Sequence, residues 1–211
     1  MSYVLGFFAA DGYITINRRG GQFWSIQITD KDLLENIRRV IESNHKIGFR
    51  QKVGNSKALY RLQIGSIEMC EDLSKLGFKK RKTKNLSIPN VPEKYFKDFV
   101  RGYFDGDGNV WVGYTHKKSK KPLLVIRTVF TSCSLEFLET LRNRLEKVFV
   151  DKGVIGKEGG NYHRLTYSVH GSLKLYNFMY NGLESHLFLN RKKVVFDRFV
   201  EKRRVAAVAQ R

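Results

Sequence analysis

The sequence is poor in the residues that hold small secreted or metal-bound domains together. Its 211 residues include two cysteines, Cys70 and Cys133, and five histidines, and neither set has the spacing of a disulfide framework or a zinc site. Long hydrophobic runs are also missing, because the apolar opening Met1–Ala10 is too short for a membrane span and leads directly into Asp11. We therefore expect two reduced thiols in a soluble, intracellular protein.

Acidic residues are scarce as well. The chain has 20 Asp and Glu against 39 Lys and Arg, a formal charge of +19, and the basic residues are spread over both halves rather than gathered in one tail. A folded surface with this charge favours a polyanionic partner, DNA or RNA, since neutralised phosphates release counterions. The hydrophobic fraction of 42% is enough to bury a core.

One short pattern occurs twice, at Val4–Gly12 and at Val100–Gly108. Each copy is an apolar stretch of helical character that contains glycine and ends in Asp-Gly, and a strand-like run follows it. Small residues three or four apart allow two such helices to pack backbone to backbone. The repeat therefore predicts a duplicated chain in which Asp11 and Asp107 meet near an approximate twofold axis.

Two other interpretations of the motifs fit the sequence less well. A single Asp-Gly pair can simply mark a tight turn, but two copies ahead of matching hairpins favour a shared role. Asp105, Asp107 and Asn109 fit positions one, three and five of a calcium loop, yet Val110 and His116 stand where its glycine and glutamate belong. Paired carboxylates in a basic protein instead predict Mg²⁺ acting on nucleic acid.

The elements after each motif follow the same order: helix, two strands, helix, two strands, helix. The expected domains are residues 1–88 and 89–211, and the segment Asn85–Pro92 between the motifs forms a stiff connector. Ser66 and Ser134 are expected to cap helices, and Gly171-Ser172 to open the last repeated helix. The fold class is thus α+β, with two αββαββα halves and antiparallel sheets.

Alternation along the strands predicts one face against the helices and one polar face. Trp24, Ile26 and Ile28 are expected inside, with Ile14, Ile16, Ile47 and Phe49. Half-exposed antiparallel sheets alternate in this way generally, but the net charge makes nucleic acid the preferred partner for the polar face. The candidate DNA-binding residues are Thr15, Asn17, Arg19, Ser25, Gln27, Arg50, Lys52, Arg61, Gln63, Trp111, Thr115, Lys117, Arg127 and Arg164.

The paired motifs resemble those of the LAGLIDADG homing endonucleases in the single-chain, two-motif form, over nearly the whole chain. The second copy is the closer match, with Arg81-Lys82-Thr83, Pro89 and Pro92 ahead of it; the first copy has Ala9 where an acidic residue is common. The resemblance implies two halves whose sheets form a DNA-binding saddle, with the motif helices at the centre.

The resemblance also implies a function. Such enzymes are monomers in this form, and they cut both strands of a long, asymmetric DNA target with short 3′ overhangs. Asp11 and Asp107 would bind two or three Mg²⁺ ions at a shared acidic centre. Lys82 and Lys192 would assist catalysis, and Asp30 and Ser132 would line the pocket. For both lysines the alternative is a phosphate contact or a solvated charge. Some relatives are DNA-binding regulators and others are intron RNA maturases, and these are the two alternative functions. A regulator would be expected to have lost a motif aspartate.

Overall fold

The computed structural model describes residues 1–52, 54, 57–78, 85–116, 118, 122–148 and 151–208. Its elements, in chain order, are α1 (Ser2–Asp11), β1 (Gly12–Ile16), β2 (Gln22–Ile28), α2 (Lys31–Val40), β3 (Gly48–Arg50), β4 (Leu59–Gly65), α3 (Ile67–Lys75), α4 (Glu93–Asp107), β5 (Gly108–Thr115), β6 (Leu123–Ser132), α5 (Leu135–Val148), β7 (Val154–Glu158), β8 (Tyr162–Tyr167), α6 (Val169–Tyr180) and α7 (Asn190–Val208). The predicted site residues Lys82 and Lys117 lie outside the described residues.

The chain divides into two compact units. The first contains residues 1–107 together with 184–188, and the second contains residues 108–183 together with 189–211. Helix α4 therefore belongs with the first unit, because it packs along α1. The boundary expected after residue 88 separates sequence repeats rather than packed units, and it stays a prediction.

The first unit has a four-stranded antiparallel sheet in the order β1-β2-β4-β3. The inward side chains of β2, Trp24, Ile26 and Ile28, are buried, as predicted. Helix α2 covers this face with apolar residues at helical spacing, Leu33, Leu34 and Ile37. Helix α3 begins at its predicted cap, where the Ser66 hydroxyl accepts a hydrogen bond of 3.1 Å from the Met69 amide.

The second unit repeats this plan in a sheet ordered β5-β6-β8-β7. Helix α5 buries Phe137, Leu138, Leu141 and Leu145, and its predicted cap Ser134 accepts a hydrogen bond of 3.2 Å from the Phe137 amide. The α+β class, the two antiparallel sheets and the order of elements in both halves are confirmed. The saddle expected from the two sheets together stays a prediction.

Several local predictions were wrong. Helix α6 begins at Val169, before Gly171-Ser172, and the Ser172 hydroxyl donates a hydrogen bond back to the Tyr167 carbonyl instead of capping. The side chains of Ile16 and Phe49 are 48% and 56% exposed, because they lie at a strand end and on the short edge strand β3. Helix α7 was not predicted, although its buried Phe196 and Phe199 are at helical spacing.

Candidate active site

Helices α1 and α4 approach each other so closely that glycine is required at the crossing. A Cβ atom on Gly6 would collide with the Phe99 carbonyl oxygen and lie 3.0 Å from the Tyr103 nitrogen. A Cβ atom on Gly102 would collide with the Tyr3 carbonyl oxygen in the same way. The two contacts are reciprocal, because Gly102 and Phe99 each stand 96 residues after Gly6 and Tyr3. The helix pair thus has the approximate twofold relation that the repeated motif predicts.

The same relation brings the two helix ends together. A Cβ atom on Gly106 would collide with the side chain of Ala10, its own repeat partner, and would lie 3.3 Å from a carboxylate oxygen of Asp11. Gly106 directly precedes Asp107 in the chain, and both aspartates are exposed. The structure therefore brings the ends of α1 and α4, each with its aspartate, side by side.

The glycine after each aspartate has a spatial role rather than a turn-forming one. Gly12 has an extended backbone, with φ −81° and ψ 154°, and neither Gly12 nor Gly108 has a positive φ. A Cβ atom on Gly12 would collide with the Phe8 ring, which packs edge-on against Trp24 and Phe78. Space for this aromatic cluster, and not a left-handed turn, requires glycine at position 12.

The buried position that Ala9 occupies in the first motif is occupied by Asp105 in the second. Asp105 is only 1% exposed, and its carboxylate accepts a hydrogen bond of 2.7 Å from the Tyr3 hydroxyl. The repeat equivalents of these residues are Ala9 and Phe99, which are both buried and apolar. The family-like acidic residue that the first motif lacks is therefore a buried helix-to-helix contact and not an exposed ligand.

A buried arginine supports the same helix pair. The Arg101 guanidinium pairs with Asp98 at 2.7 Å, donates a hydrogen bond of 3.0 Å to the Leu187 carbonyl, and lies 5.5 Å from the centre of the Tyr3 ring. A buried charge is tolerated when it is paired and hydrogen-bonded in this way. Sequence reasoning missed both Arg101 and Tyr3, since an arginine within a basic chain looks like one more surface charge.

The two motif aspartates fit a hard divalent cation. Each carboxylate lies at the C-terminal end of a helix, where the peptide dipoles already concentrate negative charge and favour a cation. Among the described residues no three His, Cys, Asp or Glu side chains form a metal-binding cluster. Two exposed carboxylates leave room around a cation for water and phosphate oxygens. Proteins usually bind Mg²⁺ with such a mixture of ligands.

Of the two predicted lysines, one can be located. Lys192 is 7% exposed, and its ammonium donates a hydrogen bond of 2.6 Å to the carbonyl of Gly108, the residue after Asp107. The two predicted pocket residues have local partners: the Asp30 carboxylate accepts from the Thr29 hydroxyl at 3.0 Å, and the Ser132 hydroxyl accepts from the Ser134 amide at 3.1 Å. The catalytic role of Lys192 and the pocket roles of Asp30 and Ser132 stay predictions.

The candidate DNA-binding residues of the first sheet differ in accessibility. Six are exposed or half-buried on the outer side or at the edge of the sheet: Thr15, Gln27, Arg50, Lys52, Arg61 and Gln63. Asn17 and Arg19 lie in the turn after β1, where the Asn17 side-chain oxygen accepts from the amides of Arg19 and Gly21. Ser25 is completely buried, so its position does not favour a contact with DNA.

In the second sheet the candidate residues lie along the outer face of β5, β6 and β8. Trp111 is 46% exposed and its indole folds over Gly113, which has no side chain to obstruct it. Arg127 is exposed on the neighbouring strand, in register with Trp111. Arg164 is exposed too, but its guanidinium forms an ion pair with Glu158. The Thr115 hydroxyl donates to the Leu123 carbonyl at 3.4 Å.

Part of the chain matches a known protein family. A family profile described as "LAGLIDADG-like domain" matches residues 1–77. Residues 1–77 are thus similar to a LAGLIDADG-like domain. A curated relative, the uncharacterized protein MJ0398 of Methanocaldococcus jannaschii, is 28% identical over 111 residues, which cover 52% of this chain and 39% of the relative. The match thus spans well under half of that relative's length.

Solved structures extend the LAGLIDADG likeness to the whole chain. The DNA-bound meganuclease I-AabMI superposes with a TM-score of 0.64 at 14% identity, covering 99% of this chain and 91% of its own. The homing endonuclease I-WcaI, bound to its recognition sequence, gives 0.61 at 17% identity over 92% and 83%. I-SmaMI, with uncleaved DNA and calcium ions, gives 0.54 at 13% identity over 88% and 85%. The chain therefore has the LAGLIDADG meganuclease fold, and the predicted resemblance is confirmed.

No helix in the described part of the chain combines the length and the apolarity that a membrane span needs.

Proposed function

We propose that this protein is a site-specific DNA endonuclease that makes a metal-dependent double-strand break in a long, asymmetric target. The observation that carries the proposal is the pair of exposed aspartates, Asp11 and Asp107, at the adjoining ends of two glycine-packed helices. The charge of +19 supplies the attraction to a polyanion. The meganuclease fold supports the choice of DNA over other polyanions.

The chain's own residues would divide the work as follows. Gly6 and Gly102 let the helices approach until the two carboxylates can share a small acidic centre. Asp11 and Asp107 would hold Mg²⁺, and the cation would supply Lewis-acid stabilisation of the charge that develops on the phosphate and the leaving 3′ oxygen. Each motif supplies one carboxylate, and the target has two strands to cut. The two cuts would leave short 3′ overhangs. The outer sheet faces would bind the DNA.

Lys192 would assist by holding the backbone next to Asp107. Its ammonium is fixed on the Gly108 carbonyl, which anchors the first residue of β5. Such a contact orients a neighbouring ligand without touching the substrate. By the register of the two repeats in the sequence, Lys82 would be the counterpart of Lys192.

The test is cleavage of a DNA library in Mg²⁺ by the full chain and by Asp107→Asn. We expect discrete cuts from the parent protein, and from the variant we expect retained binding with a rate lowered at least about a hundredfold. Asp72→Asn is the matched control, since Asp72 is an exposed helical carboxylate on α3, and it should cut normally. Undiminished cutting by Asp107→Asn would overturn the metal assignment, and specific binding without any cutting by the parent would favour a regulator.

A further inference from the structure

One polar side chain on the outer face of the first sheet is held in a fixed orientation. Gln27, on β2, donates a hydrogen bond from its side-chain nitrogen to the hydroxyl of Tyr13 on β1. Both residues are half-buried, so the contact is partly shielded from competing water. Long polar side chains on an open sheet face are normally free to rotate. Gln27 is therefore more constrained than the usual residue of such a surface.

The fixed amide lines a cleft that carries free positive charge. In the strand register Gln27 faces Arg61 of β4, which in turn faces Gly48 of β3. These residues and Arg50 are among those lining a cleft of about 260 Å³. Among the described residues neither arginine forms an ion pair, whereas Arg164 of the second sheet is paired with Glu158. The cleft thus combines an oriented amide with two unneutralised guanidinium groups.

The chemistry of the amide limits what it can recognise. A glutamine side chain has one acceptor oxygen and two N–H donors. With one N–H committed to Tyr13, one N–H donor and the acceptor oxygen of the amide remain. Among the described residues they have no other hydrogen-bond partner. The amide therefore offers one donor and one acceptor on a side chain that the bond to Tyr13 holds in place.

We propose that Gln27, oriented by Tyr13, reads an adenine in the major groove of the DNA target. The assignment deepens the proposed function and rests on it. Adenine presents an acceptor at N7 beside a donor at N6, which complements the remaining donor and acceptor of the amide. Guanine presents two acceptors, cytosine a donor alone, and thymine an acceptor beside a methyl group, so none of them satisfies both atoms. Gln27 is the specificity-determining residue and Tyr13 is its positioning residue.

The test is selection of bound duplexes from a randomised DNA library, without divalent cations, so that cleavage plays no part. We expect the full chain to enrich adenine at one position by about fivefold to a hundredfold over other bases. Gln27→Glu should shift that position alone toward cytosine, because a carboxylate accepts from cytosine N4 and cannot donate to N7. Tyr13→Phe should reduce the adenine preference about threefold to tenfold by releasing the amide.

The control is Tyr95→Phe, which removes the hydroxyl from an exposed tyrosine on α4 and should leave every base preference unchanged. An unchanged adenine preference in Tyr13→Phe would remove Tyr13 from the assignment, and an unchanged profile in Gln27→Glu would overturn it. These failures are distinct from failure of the proposed function, in which the parent chain enriches no sequence or binds a sequence without cutting it when Mg²⁺ is restored.

Discussion

The hydroxyl of Tyr3 donates a buried hydrogen bond of 2.7 Å to the carboxylate of Asp105. The equivalent positions on the opposite helices are occupied by Phe99 and Ala9, so the helix pair has one polar contact and one apolar counterpart. Two copies of α4 packed together would bury two such carboxylates opposite phenylalanine, without the tyrosine hydroxyl. The sequence of the two motifs therefore favours pairing of α1 with α4 over pairing of α4 with itself.

A double-mutant cycle would measure this contact. Tyr3→Phe removes a donor from a buried carboxylate and should lower the free energy of unfolding by about 1–3 kcal/mol. Adding Asp105→Ala should recover part of that loss, because the carboxylate that needed the donor is then gone. Urea unfolding followed by circular dichroism gives the values. Strict additivity of the two single changes would show that the hydrogen bond contributes nothing.

The closeness of α1 and α4 predicts intolerance of a single methyl group. Gly102→Ala would place a Cβ atom against the Tyr3 carbonyl, and we expect a loss of about 1–3 kcal/mol in stability or a shift of the helices. Gly156→Ala is the matched control, because a Cβ atom there has nothing within 4 Å and its φ is not positive. Thermal unfolding of both variants should separate crowding from the general effect of replacing glycine.

The free and the paired arginine should respond differently to neutralisation. Arg61 has no ion pair among the described residues, while Arg164 is paired with Glu158. In the parent chain we expect DNA affinity to fall steeply between about 50 and 200 mM salt. Arg61→Gln should weaken binding and make that salt dependence shallower, whereas Arg164→Gln should change it less. Equal effects of the two substitutions would show that the ion pair opens when DNA binds.

The two cysteines should differ in reactivity. Cys70 is fully buried, and burial raises the pKa of its thiol above the ordinary value. The reactive thiolate is therefore scarce at Cys70 near neutral pH, and its population grows only as the pH rises toward the elevated pKa. Cys133 is half-buried and should be alkylated first by iodoacetamide in the folded protein. Mass spectrometry of the peptides after brief labelling checks the order. Labelling in urea is the control, in which the two thiols should react equally.

The repeat was predictable from sequence because its signals are local. Asp-Gly endings, small residues at helical spacing and serine caps such as Ser66 and Ser134 depend on neighbours along the chain, and the structure has all of them. The prediction at position 171 was wrong because it, too, used only neighbours along the chain. Gly171-Ser172 has the look of a helix start, but Gly171 is required by the nearby Tyr167 ring, and the helix begins earlier.

Side-chain partnerships were beyond the sequence because they join distant positions. Nothing near Arg101 in the chain indicates that its guanidinium reaches the Leu187 carbonyl, and strand alternation placed Ser25 on the outer face without revealing that it is covered. Alternation reports which side of the sheet a residue faces, not what lies over it. Pairing of Tyr13 with Gln27 likewise needed the register of β1 against β2.

Residues 184–188 come late in the chain yet belong to the first unit. Their carbonyls accept hydrogen bonds from that unit, His186 from Asn36 at 3.2 Å and Leu187 from Arg101 at 3.0 Å. A hybrid made with a relative by one crossover near residue 107 would bring in a foreign segment at this place. A hybrid that keeps the first unit intact must therefore take residues 184–188 from the same parent as residues 1–107.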